Sequence, residues 1–494
     1  MEIIRRVPVV ARVIALFLFV AVGVGLSQIP DSHPPGSQTP DTESTLPSGR
    51  QFSPPHYLAN PDVPPDVAFG SLGIGIDPYV NDFAWTTFVA LNWPASDIEK
   101  GVPNRQNLIG GSPRGAHGFY HQNEALPPGP TVWETFKDAK DIYLNPPVKP
   151  TPFNAPESIP EACRELALQN PSAARRTMTM ITKASETLSD VRQAFTMSPL
   201  IDLNGELVRY EVKVNETYYN FIVDHGYYDS RKQPSGDVNF PEGANDRNGL
   251  GAIRVKAAWK VMSKPGAKFP DDPKRFFTTE ALIYNEITKT CSKQLMGLVG
   301  LHIVQKTQNF PRYVWATFEH VDNAPTPDEI KNGEAAKKTW SFYDPASTAA
   351  WNVPPPPNDP AKWNVPVQVV RLVPVTGNAA SGNSNFRPML RALDPDGPTN
   401  PGNVWANYML VGAQWMSPER TANPNQPKFL ANVTMETYLQ TEEPDENSPH
   451  GCINCHNAFA LHTDGDFQMA QAWPQAPARA RAIYLKSMAL PGPR

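Results

Sequence analysis

Five residues near the end of the chain, Cys452-Ile453-Asn454-Cys455-His456, restrict its fold more than any other stretch. Two thiols two residues apart, followed at once by an imidazole, make a three-donor unit suited to holding a bound group. Only residues 457–494 come after it, too short a stretch to wrap a large group. The pocket must therefore be built mostly from earlier residues, with the chain closing around its own end.

The spacing indicates the chemistry. The thiols can add across the two vinyl groups of one haem and leave thioethers, and the next residue can offer a neutral ring nitrogen to one face of the iron. One covalent haem c is the expected cofactor, anchored by Cys452 and Cys455, with His456 as proximal ligand. There are two rivals. Zinc would need a fourth donor, for which His450 and His462 are weak candidates, and no second Cys or His pair stands at finger spacing. A dithiol redox site would lack a thioredoxin-like setting and would leave the following His unexplained. His117 and His121 lie four apart, but Gly115, Gly118 and Pro127-Pro128 argue against the helix that would bring them together as a metal pair.

The other end of the chain agrees. Arg5, Arg6 and Arg12 precede an apolar run over 13–26, short for a membrane span and suited to a signal-peptide core with cleavage near Ser27-Gln28. Residues 1–27 are read as a signal peptide, with an uncleaved membrane anchor as the alternative. The residues flanking Arg5-Arg6 do not resemble a twin-arginine signal. Export and covalent haem go together, so a periplasmic or exported protein is expected. Residues 28–66 are rich in Pro, Ser, Thr and Asp and read as a flexible tether. A formal net charge of −5 leaves no basic field for nucleic acid. The expected partner is a periplasmic redox protein.

The 55 prolines argue against a helical bundle and for many turns. Helical pattern is expected over 82–91, 132–140, 160–168, 173–181, 217–223 and 429–440. Strand alternation is expected over 208–214, 253–261, 276–284, 298–304, 313–321, 367–373 and 404–415. In 253–261, Val255, Ala257 and Trp259 face one way while Arg254 and Lys256 face the other. The fold class is α+β: a β-rich, mainly antiparallel body over 67–425 with short peripheral helices and Pro-rich loops. A haem c attachment segment, 426–494, packs on that body.

The sixth iron ligand is open at this stage. Candidates are Met469, Met488 and His462 downstream, and Met435, His302 and His320 upstream. Met469 and His320 rank level at the front, beside a five-coordinate iron; both His302 and His320 can also be read as satisfied core histidines. Cys163 and Cys291, the remaining thiols, are candidates for a disulfide closing a long loop.

Four passages carry a family resemblance: 83–85 through 91–94 (Phe83-Ala84-Trp85 to Leu91-Asn92-Trp93-Pro94); 297–304 with 315–323, which hold His302 and His320; 407–415, from Asn407 to Trp415; and 430–438, with Asn432-Val433-Thr434-Met435, running into the haem motif. Through them the chain resembles a group of exported bacterial cytochrome c family proteins with one haem. The resemblance implies haem c on Cys452, Cys455 and His456 and no defined reaction. The expected function is single-electron transfer. The alternatives are a haem-dependent oxidoreductase acting on a small oxidant or nitrogen compound through an open axial position, and a non-redox binding protein with structural haem.

Overall fold

The computed structural model describes residues 60–68, 76–96, 99–104, 130–180, 191–193, 196–243, 249–285, 288–357, 359–392, 404–415, 427–440, 451–453, 455–456 and 464–474. Its strands are β1 (Lys137–Asp138), β2 (Thr177–Met180), β3 (Arg209–Val214), β4 (Ile253–Val261), β5 (Thr278–Asn285), β6 (Thr290–Gln305), β7 (Val314–His320) and β8 (Tyr408–Trp415). The helices are α1 (Ile76–Leu91), α2 (Arg164–Gln169), α3 (Glu216–His225), α4 (Pro327–Lys331) and α5 (Gly377–Ala392), with short 3-10 turns between them. The result is the expected β-rich α+β body.

The strands form one sheet in the order β1-β3-β4-β6-β5-β2, with β7 on β6 and β8 on β7. Every pairing is antiparallel except β2 with β5. The 16-residue β6 is the axis. One edge pairs with β4; the other pairs first with β5 and then, from Gly300 onward, with β7.

The sheet separates two kinds of surface. On one face Phe318 of β7 meets Phe88 at 4.2 Å and Trp85 at 5.1 Å, and Trp85 stacks on Phe386 of α5 at 5.2 Å. Aromatic burial of this size fixes α1 and α5 over the sheet. The opposite face carries polar rows across the strands. Arg254, Val304, Trp315 and Gln414 are register partners in one row; Lys256, His302, Thr317 and Gly412 form the next. Residues 430–438 lie against this second face. There the Tyr210 hydroxyl donates to the Thr434 carbonyl at 2.7 Å, and Asn432 Nδ2 donates to Thr317 Oγ1 at 2.8 Å.

Several expectations change. The helix expected over 132–140 is a 3-10 turn, β1 and a second 3-10 turn, in which the Asp138 side chain accepts from the Lys140 N–H. The one expected over 173–181 gives way to β2 at Thr177, where β-branched threonines favour the extended chain. Residues 367–373 are extended but form no ladder strand: Val367, Val369 and Arg371 donate singly to Ile201, Phe342 and Pro325. Residues 429–440 are turns: the Val433 N–H donates to Glu319 Oε1 and the Thr434 N–H to the Asn432 side chain, so side-chain acceptors take backbone donors there. Residues 60–66, expected in the tether, meet the body: the Pro64 carbonyl accepts from Gln305 Nε2 at 2.7 Å, and Asp66 accepts from the Asn309 N–H at 3.0 Å. The signal segment, His117, His121, His450, His462 and Met488 lie outside the described residues. Among the described residues no helix is long and apolar enough to cross a membrane. Cys163 and Cys291 are joined as a disulfide, Cα to Cα 5.1 Å.

Candidate haem-attachment site

Just before the motif stands Gly451, pressed so close to Gln414 of β8 that a Cβ there would lie 2.5 Å from its amide nitrogen. The Ile453 N–H donates to Gln414 Oε1 at 3.1 Å, and the Ile453 side chain is buried. The Cys455 N–H donates to the Gly451 carbonyl at 3.1 Å, a helical turn. On such a turn positions three and four apart share a side, so Cys452, Cys455 and His456 project together. The two thiols are not bonded to each other.

His456 is set by the loop that follows. Its Nδ1 donates to the Gly465 carbonyl at 2.6 Å, which leaves Nε2 as the nitrogen with a free lone pair. The ring lies 4.2 Å from Trp315 and 4.6 Å from Phe467, between centroids. Asp464 and Gly465 both have positive φ, 57° and 74°, and this double left-handed turn points the carbonyl at the imidazole. A side chain at position 465 would meet Trp315 at 3.3 Å.

Cations of the sheet clamp that loop. Asp464 pairs with Lys306 and, at 3.0 Å, with Arg312. Arg254 reaches Asp466 at 3.2 Å and the Gly465 carbonyl at 3.4 Å, lying over the Tyr313 ring at 4.6 Å and the Trp315 ring at 5.3 Å.

The electrostatics suit metal ligation through His456. Burial, then the Arg254 guanidinium, pushes its imidazole down to about 3, so it is neutral at physiological pH. Burial pushes both thiols well above their usual range, with Glu436 adding to the effect. Reactive dithiols need the opposite shift, so a thiolate redox site finds no support here.

Beside the thiols lies a polar cluster. Lys256 and His302 are direct partners on β4 and β6. Glu436 Oε2 stands 3.4 Å from His302 Nε2 and accepts from the Asn432 N–H at 3.0 Å. Burial works against the Glu436 carboxylate, but His302 and Lys256 beside it hold it below the usual range. Lys256 is pushed down, mainly by burial. Among the described residues no three His, Cys, Asp or Glu side chains converge to hold a bare metal ion. A haem asks less of the chain, since the macrocycle supplies four nitrogens and the protein one or two donors.

Of the two leading sixth-ligand candidates, His320 lies away from the motif. His320 is fully buried on the sheet face that carries Phe318, stacked on Phe276 at 3.9 Å. Its Nε2 donates to the Arg275 carbonyl at 2.9 Å and its Nδ1 accepts from the Asp322 N–H at 3.2 Å, so both nitrogens are engaged. Met469 is buried in the 3-10 turn that follows Phe467, where its carbonyl accepts from Gln233. Sequence reasoning placed Arg254 and Lys256 on one strand face, but the register that joins them to His302 and Trp315 comes only from the folded sheet.

No family model, no curated protein and no solved structure matches this chain.

Proposed function

We propose that the protein is an exported c-type cytochrome that holds one haem through thioethers to Cys452 and Cys455, with His456 as proximal ligand, and passes single electrons to a periplasmic redox partner. The observation that carries this reading is the hydrogen bond from His456 Nδ1 to Gly465. Ligating histidines commonly have the second nitrogen fixed by a carbonyl or carboxylate. That bond, beside two unpaired and uncharged thiols on one turn, fits the donor set haem c requires. The bound group would supply a one-electron iron couple; the chain supplies orientation through Gly465, walls through Trp315 and Phe467, and a cationic neighbour in Arg254. The Cys163–Cys291 disulfide supports maturation in an oxidising compartment. The four passages that resemble exported cytochrome c proteins point the same way.

Production of the full chain in bacteria with and without a cytochrome assembly system tests the proposal. A denaturing gel stained for haem should show one coloured band only with assembly, and the intact mass should rise by a single haem. Cys452→Ser or Cys455→Ser should weaken the stain, and the double variant should abolish it. A colourless wild-type band under assembly conditions overturns the proposal.

A further inference from the structure

The first turns of α1 and α5 meet. Asn378 Nδ2 donates to Asp77 Oδ2 at 3.1 Å, and a cavity of about 280 Å³ opens beside that bond, with Trp415 of β8 and Pro427 among its walls. Side chains alternate along a strand, so Trp415 lies on the sheet face opposite the one where Gln414 holds Ile453.

Polar groups of this cavity lack partners among the described residues. Asp77 is half-buried, and its Oδ1 makes no hydrogen bond. Burial pushes the Asp77 carboxyl above its usual range, and no neighbouring cation offsets this. Asn81 follows one turn later on the same side of α1. It lines the cavity and is only 5% exposed, yet its amide makes no hydrogen bond. At the start of α5, the Thr376 hydroxyl and carbonyl accept from the Ala379 and Ala380 N–H groups. The N–H groups of Gly377 and Asn378 are left over, as the first donors of a helix are. Both residues line the cavity, and a Cβ on Gly377 would meet nothing within 4 Å.

These demands have opposite signs. A desolvated carboxylate without a cation is best completed by a positive donor. Free N–H groups at a helix start favour a negative acceptor. One small molecule carrying both charges satisfies both ends at once. The Asn81 amide, donor and acceptor together, can serve either group. The volume is close to the lower end of small-molecule pockets, and Trp415 and Pro427 offer an apolar wall.

We propose that this cavity binds a small, apolar, free α-amino acid, with its ammonium on Asp77, its carboxylate on the Gly377 and Asn378 N–H groups, and its side chain toward Trp415 and Pro427. The site does not depend on the haem reading.

The test is calorimetry and ligand-observed NMR on the full chain. The probes are L-valine and two molecules that each keep one of its charges, isobutylamine and isovalerate. L-valine should bind saturably at one site per chain. Each single-charge probe should bind roughly tenfold more weakly or worse, the loss expected when one charged hydrogen-bonding group is removed. Asp77→Asn should weaken L-valine by a similar factor. Gly377→Pro removes one N–H at the first helical position, where proline is tolerated. It should weaken L-valine and leave isobutylamine unchanged. Circular dichroism checks that both variants fold, and the probe series in the wild type needs no variant. Absence of saturable L-valine binding, a single-charge probe that binds as tightly as L-valine, or undiminished L-valine binding in folded Asp77→Asn overturns the proposal.

Discussion

His456 donates through Nδ1 to the carbonyl of Gly465 at 2.6 Å, and both residues lie against Trp315. The bond fixes which nitrogen is free and how the ring is turned. It depends on a backbone conformation, φ of 74° at Gly465, that residues with a Cβ rarely adopt.

Gly465→Ala therefore loses on two counts. The left-handed conformation costs about 1–2 kcal/mol with a Cβ present, and the new methyl presses on Trp315 at 3.3 Å. A lower thermal midpoint is expected, with a shifted midpoint potential in the haem-bearing protein. Calorimetry and a spectroelectrochemical titration check both; an unchanged potential would show that the carbonyl does not tune the imidazole.

The Cys163–Cys291 bond joins positions 128 apart in sequence, tying the turn before α2 to β6. Replacing both by Ala should lower stability by about 2–5 kcal/mol. Guanidinium unfolding of the wild type and double variant reads this directly. Haem staining should persist, because neither residue belongs to the motif.

Glu319 and Arg371 form a bidentate pair at 3.1 and 2.5 Å, both almost fully buried, and Glu319 also accepts from the Val433 N–H at 3.0 Å. Arg371→Ala strands the carboxylate and should destabilise the protein by about 3–5 kcal/mol. Since Glu319 also holds residue 433, limited proteolysis should cut within 427–440 sooner in the variant.

His320 gives a pH signature. Burial pushes its pKa from 6.5 to about 4. The unfolded chain binds this proton more readily than the folded one, so the associated stability is complete above about pH 6.5 and is lost as pH falls toward 4. The loss is roughly 3 kcal/mol at one pKa unit per 1.4 kcal/mol. Urea unfolding at pH 7 and pH 5 should show the wild type losing about 2 kcal/mol more than His320→Gln.

The sequence revealed the parts where local pattern and tertiary demand agree. Residues 253–261 alternate cleanly and are β4 from end to end. The motif is self-announcing, because three reactive groups so close together have few other uses. α5 was not legible: Gly377, Gly382, three asparagines and Pro388 make a poor helix, held by tertiary contacts such as Trp85 on Phe386 and the paired bonds between Asn383 and Leu410. Residues 429–440 carry an apolar spacing that suits a helix, yet Asn432 bonds to β7, about 115 residues away in sequence. The polar row of Lys256 and His302 depends on register, which no single segment encodes.

The enclosure of Asp464 bears on the order of events in maturation. Its side chain is shut off from water and held by Lys306 and Arg312, and the neighbouring Asp466 by Arg254. Releasing that loop would strip buried ions of their partners, so it does not swing freely once docked. If the proposed haem is attached to Cys452 and Cys455, attachment would precede the docking of this loop. Three basic residues far from the motif in sequence thus hold the loop whose carbonyl orients His456.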